Sequence, residues 1–156
     1  MTVRIVLPPE VLAMALYTAE QRPKNVVNHI PLFDPMGELV GAMAEHAWAW
    51  LYRLPQDSVT SHEAYGDGGI DFDMEEGSVD IKASGRYEDS WVVKRGPCRA
   101  DWYVFAFVQQ PDTVIFKAKA SKEVVAGIGT DNRVGGNRLI RIEQLEDFDE
   151  SDFNPL

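Results

Sequence analysis

Between Gly66 and Ser84 the chain sets acids, glycines and one lysine in an order that suits phosphodiester chemistry. Gly66-Asp67-Gly68-Gly69-Ile70-Asp71 opens a short alternation of apolar and acidic residues. Ser78-Val79-Asp80-Ile81-Lys82-Ala83-Ser84 forms a second. Successive side chains on a strand alternate faces, so Asp80, Lys82 and Ser84 share one face and Val79, Ile81 and Ala83 the other. By the same period Asp71 and Asp73 share a face, opposite Ile70, Phe72 and Met74. Glu75-Glu76-Gly77-Ser78 reads as the turn of a hairpin, with Gly77 free to take a positive φ. Pairing the two runs brings Asp71 near Asp80. Two carboxylates that close repel unless a cation lies between them. Mg²⁺ or Mn²⁺, hard ions served by oxygen, suits that place. Lys82 would then orient a water, help lower its pKa, or steady charge on a phosphate.

The elements that must hold this set can be read on either side of it. Residues 10–21 form a first helix, led in by Pro8-Pro9 and stopped at Arg22-Pro23. Residues 35–53 form a second, ending before Pro55; residues 58–65 read as a short strand. The hairpin spans about 69–84. Trp91-Val92-Val93, residues 101–108, residues 113–120 and Leu139-Ile140-Arg141-Ile142 read as strands. Ser121 caps a short helix over 121–127. The expected fold class is therefore α/β, with one domain over residues 1–156 and an acidic tail from about 143.

The second helix contains Gly41-Ala42-Met43-Ala44-Glu45-His46-Ala47. This Gly-x-x-x-Glu-x-Ala pattern, followed by Asp71 and then Asp80-Ile81-Lys82, resembles the PD-(D/E)XK nuclease superfamily, in its small phage and bacterial members. Residue 70 is Ile where the superfamily name has proline. The resemblance implies a restriction-endonuclease-like core, a mixed central β-sheet flanked by helices. It implies that Asp71, Asp80 and the Ile81 carbonyl hold Mg²⁺ or Mn²⁺ and that Glu45 completes the site, with Glu38 and Asp73 in reserve. Lys82 serves the attacking water. Ser84, Arg86, Lys94 and Arg95 become candidate nucleic-acid contacts by position. DNA is the implied substrate, and recombination, repair or genome processing the implied setting. The superfamily order α-β-β-β-α-β would place a helix after strand 101–108, where this chain reads as another strand.

The net charge of −10 opposes a nucleic-acid partner only as a total. Residues 1–81 sum to −9, residues 82–141 to +5 and residues 142–156 to −6. Phosphate contact needs a local basic zone, and the middle stretch supplies one. The acidic end reads as a solubilising or frayed tail. Cys98 is the one cysteine in the chain, which excludes an internal disulfide and a cysteine zinc site. His29, His46 and His62 have no zinc spacing, and His46 reads as a helix-surface residue. Gly127-Ile128-Gly129 lacks a third glycine at Asn132, and no Walker lysine motif is present. No apolar run approaches a membrane span and the N-terminus has no signal-peptide core, so a cytoplasmic protein is expected. Two competing functions fit the same residues: a non-catalytic nucleic-acid-binding or assembly module, and an acidic hairpin that binds Ca²⁺ structurally.

Overall fold

A helix that is apolar on almost every side has to be enclosed, and α2 (Pro35–Leu51) is such a helix. Ala42, Met43, Ala44, Ala47, Trp48 and Ala49 are all fully buried. The computed structural model describes residues 2–25, 35–60 and 70–156. In it, α2 lies between α1 (Pro9–Asn25) and one face of a sheet. The first helix runs four residues beyond the stop expected at 21. The Arg22 guanidinium is held by Glu45 of α2, and this outweighs the one hydrogen bond that Pro23 cannot donate. Helix α2 closes with Arg53 at φ 56°, Leu54 N–H on the Ala49 carbonyl and Arg53 N–H on the Trp50 carbonyl. That is a Schellman closure with arginine where glycine is usual.

The predicted strand at 58–65 is not formed over its described part: Asp57–Thr60 is the short helix α3. The Ser58 hydroxyl and the Ser58 N–H both donate to the Pro55 carbonyl, and Val59 N–H donates to Gln56. These local bonds outbid strand pairing. Residues 61–65, and Gly66 to Gly69 of the glycine-rich approach, lie outside the described residues.

The main sheet runs in the order β1 (Val3–Val6), β6 (Thr113–Ser121), β5 (Trp102–Gln109), β3 (Gly77–Ser84), β2 (Phe72–Met74), with β9 (Glu146–Asp147) also on β6. Strands β3 and β5 are parallel; the other pairs are antiparallel. The architecture is mixed α/β, with four α-helices among the described residues. Val79, Ile81, Val104, Ala106 and Phe116 face α1 and α2. Tyr103, Phe105 and Ala120 face the other way, under a smaller sheet of β4 (Ser90–Val93), β8 (Asn137–Arg141) and β7 (Thr130–Asp131). The Trp91 indole N–H donates to the Ala106 carbonyl at 2.8 Å, next to the β-bulge of β5. Ser121 caps α4 (Lys122–Ala126), as its position in the sequence predicts.

The acidic end is not frayed. Its acids alternate with Phe148 and Phe153, and both phenylalanines are buried against Trp48. Trp48 is ringed by Tyr52, Phe72, Phe116, Phe148 and Phe153 at centroid distances of 4.6, 6.2, 5.7, 5.8 and 5.3 Å. The segment then reaches the β2–β3 turn: Glu75 N–H donates to the Asn154 carbonyl, and Asn154 donates twice to the Glu76 carboxylate. Burial pushes the Glu76 pKa up, but those bonds, with one to its own backbone, together outweigh it and hold the pKa below the usual carboxylate value. The side chains of this segment thus fill the core and latch the hairpin. Phe148→Ala is expected to lower the free energy of unfolding by about 3–5 kcal/mol, read from urea denaturation. A loss under about 1 kcal/mol would mean that the segment is peripheral.

Candidate active site

The hairpin forms with the register that the sequence demands. Phe72 pairs with Val79 and Asp73 with Ser78; Asp71 stands just before β2 and meets β3 through Val79 and Ile81 rather than as a paired residue opposite Asp80. Gly77 sits at φ 131°, and a Cβ there would lie 2.7 Å from an Asp101 carboxylate oxygen. Asp101 in turn holds the start of β3 by accepting from Ser78 N–H at 2.9 Å. Strand alternation does not extend back to Ile70: β2 begins at Phe72, and Ile70 packs beneath the small sheet while Phe72 and Met74 face the helices.

Asp71 N–H donates to the Val79 carbonyl at 2.8 Å, and an Asp71 carboxylate oxygen accepts from Ile81 N–H at 2.7 Å. A strand residue carries its N–H and C=O on the same edge. The Ile81 carbonyl therefore lies on the β2 edge of β3, the side on which Asp71 stands. Asp80 is only 5% exposed, and Lys82 Nζ is 3.0 Å from its Oδ2. Asp73 is exposed and sits nearer the turn.

Glu45 is 6% exposed and faces α1. Arg22 donates to both of its oxygens, at 2.7 and 2.9 Å. Burial alone would lower the Arg22 pKa. The hydrogen bond and charge of Glu45, then the charges of Asp71 and Glu38, reverse this and raise it. One guanidinium thus senses the helix carboxylate, its reserve and the first hairpin aspartate. Sequence reasoning took Arg22 only as a helix stop. Its position was a signal: Val11, Ala15 and Thr18 form a buried stripe on α1, and Arg22 extends it by one turn. A cation on a core stripe calls for a carboxylate opposite.

His46 is not at the helix surface. It is fully buried, with Nε2 2.7 Å from the Thr18 hydroxyl and Nδ1 2.6 Å from Gln56 Oε1. The Gln56 amide donates to the His46 carbonyl, which orients its oxygen toward the ring. Thr18–His46 and Arg22–Glu45 are consecutive rungs between the two helices. His29 and His62 lie outside the described residues.

Parallel pairing sets Tyr103 beside Asp80 and Phe105 beside Lys82. The buried Tyr103 phenol is pushed up to about 12, first by burial, then by Cys98, which shares a hydrogen bond with it, and then by the charge of Asp80. Neither Tyr103 nor Cys98 is singled out by the sequence, because the β3–β5 contact joins segments far apart in the chain.

The predicted nucleic-acid contacts divide. The Ser84 hydroxyl accepts from Arg86 N–H at 3.3 Å and Tyr87 N–H at 2.9 Å, so it closes the turn after β3. Arg86, Tyr87, Lys94 and Arg95 are exposed. Part of the basic zone is structural. Arg138 donates to the carbonyls of Ile128, Lys94 and Gly96. Lys119 pairs with Asp152 at 3.0 Å and lies over the Trp102 ring, and Arg133 pairs with Asp131.

Asp71, Asp80, Glu45 and the Ile81 carbonyl are oxygen donors of the kind that hard divalent ions take. Each of the three carboxylates is engaged within the protein, by Ile81 N–H, Lys82 and Arg22 respectively. Among the described residues, no three His, Cys, Asp or Glu side chains converge on one point as a metal cluster would. No described helix is long and apolar enough to cross a membrane. Comparison with protein-family models, curated proteins and solved structures finds no match.

Raising the folded pKa of Tyr103 keeps the neutral phenol favoured in the native state. Its contribution to stability is complete below the unfolded value near 10 and is lost as pH rises toward about 12. Ultraviolet titration of the native protein should show phenols ionising above the ordinary range, and Tyr103→Phe should delete the one near 12. Loss of a phenol titrating near 10 instead would place the Tyr103 hydroxyl in solvent.

Proposed function

We propose that this chain is a metal-dependent nuclease of the PD-(D/E)XK type, with DNA as its substrate and a restriction-endonuclease-like core. The observation that carries the reading is the cluster on the hairpin: an Asp71 carboxylate oxygen on Ile81 N–H at 2.7 Å, Asp80 and Lys82 on either side of Ile81 and 3.0 Å apart, and the Ile81 carbonyl on the Asp71 edge. It is supported by α2, which packs against the same sheet and carries Glu45 to Arg22, where the Asp71 charge is also felt. A hairpin whose second strand has a parallel neighbour, with a helix across one face, agrees with a mixed sheet of that kind.

Asp71, Asp80 and the Ile81 carbonyl would hold Mg²⁺ or Mn²⁺, with Glu45 completing the set. Such an ion lowers the pKa of a bound water and offsets charge on the phosphate. The residues of the chain do the rest. Lys82, held 3.0 Å from Asp80, keeps an ammonium at the mouth of the acidic pair, where it orients the attacking water. The water oxygen bonds to phosphorus as its proton passes to solvent, and the P–O bond breaks with its electron pair going to the leaving oxygen, which takes a proton from solvent. Arg86, Lys94 and Arg95 contact the phosphate backbone, and exposed Tyr87 offers a ring to an unstacked base.

Purified protein is tested on linear and circular, single- and double-stranded DNA with Mg²⁺, Mn²⁺, Ca²⁺ or EDTA. Cleavage with Mg²⁺ or Mn²⁺ should fall by about 10²-fold or more in Asp80→Asn and Lys82→Ala, with folding intact by circular dichroism. A folded wild-type protein that cuts neither DNA nor RNA would leave the binding-module reading in its place. Arg86→Ala, Lys94→Ala and Arg95→Ala should each weaken DNA binding and reduce the salt slope of log K by about 1. An unchanged slope would remove that residue from the interface.

A further inference from the structure

The Arg22–Glu45 pair raises a question that the nuclease reading alone does not answer. Glu45 is almost fully buried, so its charge requires a cation or a proton. Arg22 supplies a cation through a two-pronged bond to both oxygens. A divalent ion that took Glu45 as a ligand would stand next to that guanidinium, and two cations in a partly buried pocket repel. Arg22 and a metal therefore draw on one carboxylate.

We propose that Arg22 is the resident counter-ion of the site, holding Glu45 while no metal is present and competing with a divalent cation for it. The inference rests on the nuclease reading and adds to it a control on metal loading. Without metal, Arg22 ties α1 to α2 and neutralises the buried acid. With metal, Glu45 turns at least one oxygen from the guanidinium to the ion. The displaced guanidinium still feels the charges of Asp71 and Glu38, which already act on it. The site is thus stable in two charge states, and metal affinity is set partly by the strength of an internal ion pair. Arg22 acts through Glu45 and is a positioning residue.

The test measures Mn²⁺ binding by calorimetry at pH 8, with thermal unfolding in EDTA and in Mn²⁺. Arg22→Gln should unfold at a lower temperature in EDTA and bind Mn²⁺ about tenfold more tightly, as loss of a competing partly buried charge requires. Its unfolding temperature should also rise more on adding Mn²⁺ than that of the wild type. A purely structural arginine would lower stability and leave Mn²⁺ affinity unchanged or weakened, and that result overturns the proposal. Arg22→Lys, which keeps the charge but loses the fork, should fall between the two. The gain should shrink in a Glu45→Gln background; an undiminished gain would show that Glu45 is not the shared ligand. Should Arg22→Gln not fold, Arg22→Lys and the double variant Arg22→Gln/Glu45→Gln, which leaves no orphan carboxylate, carry the same comparison. Mn²⁺ binding that is lost in Asp80→Asn but indifferent to Arg22 defeats the counter-ion alone. Wild type, Arg22→Gln and Asp80→Asn that all bind no Mn²⁺ defeat the metal site and the counter-ion together.

Discussion

Burial of two consecutive polar residues on α2 constrains much of the molecule. Glu45 and His46 sit on a helix enclosed by α1 and the sheet, where an unpartnered polar group costs on the order of 1–3 kcal/mol, and a charge more. Helix α1 meets both demands from one face, with Thr18 for the imidazole and Arg22, one turn later, for the carboxylate. Gln56, just past the Schellman closure of α2, takes the other imidazole nitrogen. The helix pair and its closing turn are therefore fitted around two side chains. Apolar packing supplies most of the stabilising area, but these rungs select one angle and one register between the helices.

That constraint explains which parts of the molecule the sequence disclosed. The hairpin was legible because its information is local: a period of two, a turn glycine and a register that follows from the turn. The buried strand at 101–108 and the capped helix after Ser121 were legible for similar reasons. What depends on contacts distant in sequence was not. Arg22 looked like a helix terminator because its carboxylate lies 23 residues away, and Tyr103 reaches Asp80 only through parallel pairing. His46 looked exposed because a polar residue on a helix usually is, and nothing nearby in the chain reveals Thr18 as its partner.

The basic zone shows the same division between composition and geometry. Summed charge marked residues 82–141 as cationic, and they are. Yet Arg138 spends its guanidinium on three backbone carbonyls that join the small sheet to its loops, and Lys119 binds the acidic segment it faces. The cations available to a polyanion are thus fewer than the count suggests. Exposed Arg86, Lys94 and Arg95 lie in one stretch between β3 and β5. Such clustering favours contact with a backbone over diffuse attraction.

The latch at Asn154 bears on the order in which the protein is assembled. Its bonds to Glu75 and Glu76 span nearly eighty residues, and Phe148 and Phe153 complete the packing around Trp48. During synthesis the hairpin emerges from the ribosome long before these partners exist, at a rate of about 5–20 residues per second. For several seconds the acidic turn has its local ladder but lacks its clasp, and Trp48 is bare on the side that the two phenylalanines will cover. The hairpin that carries Asp71, Asp80 and Lys82 is thus among the later parts of the molecule to become rigid. Its maturation waits on residues that lie far from it in the chain.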